Sequence, residues 1–154
     1  MSLSNKLLNK LIKKNISVAT AESCTGGLLA YNFIKYKNSS KIFKGGCITY
    51  SNEVKIRELK VREVSLKKNG AVSYQIADEM INGLYKKYQT NICISTTGIA
   101  GPGGATENKP VGLIYIGIRI NKKNIVIKKN FKGSRIQIQK KCVNFIFKYL
   151  DKLI

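Results

Sequence analysis

Two short apolar runs that each end directly in a glycine-rich turn constrain this chain more than any other feature. Residues 16–21 lead into Glu22-Ser23-Cys24-Thr25-Gly26-Gly27, and residues 91–97 lead into Gly98-Ile99-Ala100-Gly101-Pro102-Gly103-Gly104. Short runs rich in β-branched residues and bounded by turn formers read as buried strands. Around them, apolar residues recur at helical spacing: Leu3, Leu7, Leu8, Leu11 and Ile12 before Asn15, then Leu28, Leu29, Tyr31 and Phe33 after Gly26-Gly27. Residues 45–50 read as a further strand, and a helix from Asn52 carries Val54, Ile56 and Leu59. Ser73 is positioned to cap a helix through Ile76, Ala77, Met80, Ile81 and Leu84. Residues 111–120 and 124–131 read as a hairpin around Asn121-Lys122-Lys123. After Gly133, Ser134 starts a last helix carrying Ile138, Val143, Ile146, Phe147 and Leu150. Strands alternating with helices early, and a hairpin late, predict an α/β fold. We expect a three-layer sandwich with a mixed β-sheet covered by helices, in a single domain over residues 1–154.

Composition narrows the function classes. The formal charge is +20, but only four of the 28 basic residues are arginine, and the lysines fall in dispersed pairs such as Lys67-Lys68, Lys86-Lys87 and Lys140-Lys141. A nucleic-acid groove calls for a clustered stripe with interleaved aromatics. The charge therefore reads as a solvated surface that attracts small anions, with no specific nucleic-acid partner. No window approaches the roughly 18 apolar residues of a membrane span. Cys24, Cys47, Cys93 and Cys142 are scattered with no CxxC pair, and the chain contains no histidine. Reduced thiols, a cytoplasmic location, no metal site and no cofactor are the corresponding expectations.

The chemistry belongs to the two glycine-rich turns. A hydroxyl after a strand lies at the carboxyl end of the sheet, the usual ligand side of an α/β fold. The N–H groups of Thr25, Gly26 and Gly27 would open a helix and could hold a phosphate or an oxyanion. Taken alone, that turn reads as an ordinary cap, with Ser23 or Thr25 as the N-cap and the glycines giving close packing. A second such turn, with four glycines in residues 98–104, shifts the balance to a binding cleft. Without histidine, a Ser23 nucleophile must pass its proton to a tyrosine, a lysine or a carboxylate. Glu22 adjoins Ser23, but neighbours on a strand point to opposite faces. Tyr50, with Arg135 as a nearby cation, could serve as the base. Lys55 could tune Tyr50, meet a substrate phosphate, or be an exposed helix lysine. Cys24 is the rival nucleophile.

Five blocks of the sequence resemble the CinA C-terminal family of nicotinamide-nucleotide amidohydrolases. They are Thr20-Ala21-Glu22-Ser23-Cys24-Thr25-Gly26-Gly27, Gly46-Cys47-Ile48-Thr49-Tyr50-Ser51-Asn52-Glu53-Val54-Lys55, Gly70-Ala71-Val72-Ser73, the segment from Thr97 to Gly104 with Lys109-Pro110-Val111-Gly112, and Phe131-Lys132-Gly133-Ser134-Arg135. They run in family order over about 115 residues. The resemblance implies the family's fold and hydrolysis of nicotinamide mononucleotide to nicotinic acid mononucleotide and ammonia; the alternative readings are a nucleotide-binding protein without turnover and a DNA-associated competence-type protein. It implies Ser23, Tyr50 and Arg135 as catalytic residues; the two glycine-rich turns put Thr25, Gly26, Gly27, Gly98 and Gly101 at the substrate, with Lys55 a candidate for its phosphate. Ser134 stands where the family usually has aspartate, and Gln139 where a basic residue is common. The implied partner is a small nucleotide, with no membrane and with room for a homo-oligomer. In the mechanism expected from the sequence, Ser23 attacks the amide and Tyr50, influenced by Arg135, takes its proton.

Overall fold

The computed structural model describes residues 5–154. Leu3, at the start of the first apolar face, lies outside the described residues. In chain order the elements are α1 (Asn5–Lys13), β1 (Val18–Glu22), α2 (Leu28–Ile34), a 3-10 turn (Ser39–Lys41), β2 (Phe43–Ile48), α3 (Asn52–Leu59) and α4 (Glu63–Asn69). They continue with α5 (Tyr74–Tyr88), β3 (Ile92–Gly98), β4 (Leu113–Ile120), β5 (Lys123–Asn130) and α6 (Arg135–Leu153).

The five strands form one sheet in the order β2-β1-β3-β4-β5. β1 runs parallel to both β2 and β3, whereas β3, β4 and β5 are successively antiparallel. Side chains alternate across each strand, so the central strands feed two cores. Val18, Ile92 and Ile94 pack with α1, α2 and α6 through Leu11, Phe33, Ile146 and Leu150. Ala19, Ala21 and Cys93 face the opposite layer with Leu59, Leu66, Met80, Ile81 and Leu84. The predicted mixed sheet covered by helices on both faces is the observed architecture. Among the described residues, no helix is long and apolar enough to cross a membrane.

Three local details differ from the sequence expectation. The strand expected over residues 45–50 is β2 (Phe43–Ile48), so Tyr50 stands in the turn beyond it. The hairpin turn is one residue shorter, because Asn121 and Lys122 both take positive φ (51° and 64°) and Lys123 already pairs with Ile120. Two such residues make the tight turn whose twist matches the flanking strands. The helix α4 was not foreseen. It has seven residues with Val64 exposed and only Ser65 and Leu66 buried, too little for a helical period to show.

The consequence for function is convergence. Because β1, β2 and β3 are mutually parallel, Ser23, Tyr50 and the loop after Gly98 all leave the same edge of the sheet. Register places Glu22 level with Ile48 on one side and Thr96 on the other. Residues far apart in sequence thus meet where strands end, the position expected for a ligand cleft.

Candidate active site

The turn after β1 is held by its neighbours. The Ser23 N–H donates to the Thr96 carbonyl (3.0 Å), and the Thr49 N–H donates to the Glu22 carbonyl (2.8 Å). Glu22 itself is 1% exposed, and its carboxylate turns toward α2. Oε1 accepts from Thr25 Oγ1 (2.7 Å), the Gly27 N–H (3.2 Å) and the Leu29 N–H (2.8 Å), and Oε2 accepts from the Ala30 N–H (2.9 Å). A negative charge at a helix N-terminus is favourable, and here the chain supplies its own. The Gly26 N–H donates to the Ser23 carbonyl (3.2 Å). Gly26 and Gly27 therefore do not present the free N–H groups expected from the sequence, and Thr25 is an internal strut whose hydroxyl also meets Thr96 Oγ1 (2.8 Å). Glu22→Ala would leave several buried donors without acceptors. It is expected to cost about 3 kcal/mol, read as a lowered midpoint in urea unfolding with unchanged slope. A loss below a few tenths of that value would contradict the capping role.

Lys55 is the residue the sequence placed least well. Ser51 caps α3 by accepting from the Val54 N–H, which starts the helix directly after β2. Lys55 then falls on the same inward stripe as Leu59, four residues on, and both are 1% exposed. Its Nζ donates to Ser23 Oγ (3.1 Å), the Thr49 carbonyl (2.8 Å) and the Tyr50 carbonyl (3.3 Å). Burial disfavours the ammonium form and pulls the Lys55 pKa down to about 8. A lysine on the buried stripe of a helix, where an apolar residue is normal, was the available sequence signal.

The remaining site residues line a small cavity of about 160 Å³, bounded by Cys24, Tyr50, Gly98, Ala100, Gly101, Gly103, Gly104 and Arg135. Ser23 adjoins Cys24 and is 7% exposed. Gly101 has φ 81°, a conformation that favours glycine, and its carbonyl accepts from Arg135 Nη1 (2.7 Å). Arg135 Nη2 donates to the Tyr50 hydroxyl (3.1 Å), and Tyr50 is 63% exposed. The predicted Tyr50–Arg135 contact is thus present, but the basic atom at hydrogen-bond distance from Ser23 Oγ belongs to Lys55. Cys24 is buried, and burial pushes its thiol pKa up to about 12, which suppresses the thiolate needed for attack. Ser134 caps α6 in a reciprocal capping box with Gln137, so the helix bearing Arg135 has a fixed start. From the same helix, Gln139 Nε2 donates to the Cys24 carbonyl (2.9 Å).

Comparison with known proteins agrees with this fold. A provisionally named competence-damage inducible protein of Clostridium botulinum is 53% identical over 134 residues, which is 87% of this chain and 33% of that protein. Its counterpart in Clostridium acetobutylicum is 46% identical over 153 residues, 99% of this chain and 37% of the relative. The chain thus spans about a third of the length of these curated relatives. The crystal structure of a competence or damage-inducible protein from Enterobacter asburiae superposes with TM-score 0.93 at 31% identity, over 99% of this chain and 96% of that one. A competence-damaged protein (CinA) superfamily structure from Klebsiella pneumoniae also gives 0.93, at 28% identity over 97% and 94% of the two chains. The profile of the CinA C-terminal domain matches residues 1–154, and the chain belongs to that family.

Proposed function

We propose that this domain hydrolyses the carboxamide of nicotinamide mononucleotide to nicotinic acid mononucleotide and ammonia, using Ser23 as nucleophile and Lys55 as its base. The observation that carries this reading is the 3.1 Å contact between Ser23 Oγ and the Nζ of a buried lysine. A lysine with a pKa near 8 is neutral in a useful fraction of molecules at neutral pH and can accept a proton.

Ser23 Oγ attacks the amide carbon and its proton passes to Lys55 Nζ. The C–N bond then breaks, Lys55 returns the proton to the departing nitrogen, and ammonia leaves. Water attacks the resulting ester on Ser23 with Lys55 again accepting a proton. The acid is released when Lys55 reprotonates Ser23. Main-chain N–H groups of the loop at residues 98–104 are the oxyanion donors in this scheme, since Glu22 occupies those of α2. Tyr50 and Arg135 act on the substrate at the open side of the cavity, and Arg135 holds the loop through the Gly101 carbonyl.

The direct test is ammonia release and formation of the pyridine carboxylate by the purified chain given nicotinamide mononucleotide. No release, under conditions where the Ser23 hydroxyl reacts with a serine-directed reagent, would sink the substrate assignment. A pH series adds a sharper prediction. Only neutral Lys55 can act as base, so kcat/KM should rise with pH, approaching tenfold per unit at lower pH, and level off above about 8. A profile that is flat between pH 6 and 9 would exclude a lysine base of this pKa.

A further inference from the structure

We infer that Gln139 is a positioning residue that sets the reactivity of Ser23 by clamping the Cys24–Thr25 peptide to α6. The inference deepens the proposed function, because it rests on Ser23 being the nucleophile. Three segments from separate parts of the chain build the site: the turn after β1, the Tyr50 segment after β2, and the glycine-rich loop after β3. Each is tied to the start of α6. Arg135 reaches the Gly101 carbonyl and the Tyr50 hydroxyl, and Gln139 reaches the Cys24 carbonyl at 2.9 Å. Arg135 and Gln139 are four residues apart, so they share one face of that helix.

The helix is itself well anchored. Ile138, Cys142, Val143 and Ile146 are buried beside this face, and the Ser134 capping box fixes the first turn. Gln139 therefore acts from a rigid element onto a turn, the arrangement that holds a nucleophile to a fraction of an ångström. The geometry at the turn gives the contact its effect. In a trans peptide the carbonyl and the following N–H point in opposite directions. With its carbonyl bonded to Gln139, the Cys24–Thr25 peptide is biased against rotations that would turn that carbonyl onto a substrate in the cavity that Cys24 lines. A carbonyl facing the cavity would oppose the negative charge that develops on a reacting carbonyl oxygen.

The test compares Gln139→Met, which keeps length but has no donor, with Gln139→Lys, which keeps a donor. Reactivity is read first with diisopropyl fluorophosphate, which needs no knowledge of the natural substrate. The Ser23 Oγ–P bond forms, the P–F bond breaks, fluoride leaves and the proton passes to Lys55; the adduct is counted by mass spectrometry. Gln139→Met is expected to slow labelling by about tenfold, the usual worth of one oriented hydrogen bond, and Gln139→Lys to recover it to within about threefold. The same ratios are expected in kcat for nicotinamide mononucleotide, with KM within about twofold. The pH of half-maximal rate should stay where it is in the parent, because no Lys55 contact is altered. Gln139→Glu, which sets an acceptor against the Cys24 carbonyl, is the second donor-free variant if the methionine variant misfolds. Labelling of Gln139→Met at the parent rate, or failure of Gln139→Lys to recover it, would overturn the inference. If the parent labels on Ser23 but releases no ammonia, the substrate assignment fails, and the labelling ratios decide the role of Gln139 by themselves.

Discussion

Ser23→Ala is expected to lower kcat for nicotinamide mononucleotide by about 10⁴-fold or more, with KM changed little. The size follows from what would remain. Without the hydroxyl no acyl-enzyme can form, and Lys55, whose Nζ lies 3.1 Å from Ser23 Oγ, would have only water to activate. Residual rate would come from the main-chain donors of the glycine loop and from substrate binding alone. The neighbouring thiol offers no bypass. Cys24 is buried with its pKa raised to about 12, so Cys24→Ala should keep most of the activity. Steady-state kinetics on both variants settle the matter. An active Ser23→Ala enzyme would remove the serine mechanism, and a dead Cys24→Ala enzyme with normal thermal stability would move the nucleophile by one residue.

Lys55→Met is expected to have the next largest effect, a loss of about 10³-fold in kcat and of the rise in rate toward pH 8. Methionine fills a similar volume but cannot take a proton. Tyr50→Phe removes only a hydroxyl that accepts from Arg135 at the open side of the cavity, so its loss should be one to two orders of magnitude smaller. The reverse ranking would return the base to Tyr50. Lys55 also predicts an independent stability signature. Its folded pKa, about 8, lies below the ordinary 10.5, so between those values the unfolded chain binds more protons than the folded one. Folding stability contributed through this group is therefore gained as pH rises from about 8 to 10.5, and the full penalty applies below 8. The stability difference between parent and Lys55→Met should shift by roughly 3 kcal/mol across that window, in favour of the parent at the alkaline end. A difference independent of pH would mean that Lys55 is not desolvated as described.

These two residues also mark where sequence reasoning stops. The strand–turn patterns at residues 16–27 and 91–104 were legible because short buried strands and glycine-rich turns have local causes. Parallel strands then bring Ser23, Tyr50 and the second turn to one edge, so their convergence followed from the fold class. Lys55 was harder, because charge alone suggests a solvated helix lysine. Only the packing of α3 against α5 shows that its stripe faces inward, where Nζ meets Ser23. Glu22 was harder still. Strand alternation pointed it away from the face of Ser23, but that α2 begins close enough for its carboxylate to collect three main-chain N–H groups is a tertiary fact. Gln139 lies 115 residues from the carbonyl it holds, a separation at which no local pattern reports contact.

The position of α6 in the chain has a consequence for how the protein is made. The face of the sheet carrying Val18, Ile92, Ile94, Ile114 and Ile116 is covered in large part by Ile138, Val143, Ile146, Phe147 and Leu150. Synthesis is vectorial, so all five strands emerge from the ribosome before this part of their cover does. A nascent chain stalled before residue 135 would leave the part of that face under α6 uncovered, lacking both Arg135 and Gln139. Such a chain is a client for chaperones and proteases. The same helix that closes the core also carries Arg135 and Gln139, so the core and the candidate site are completed in a single step of translation.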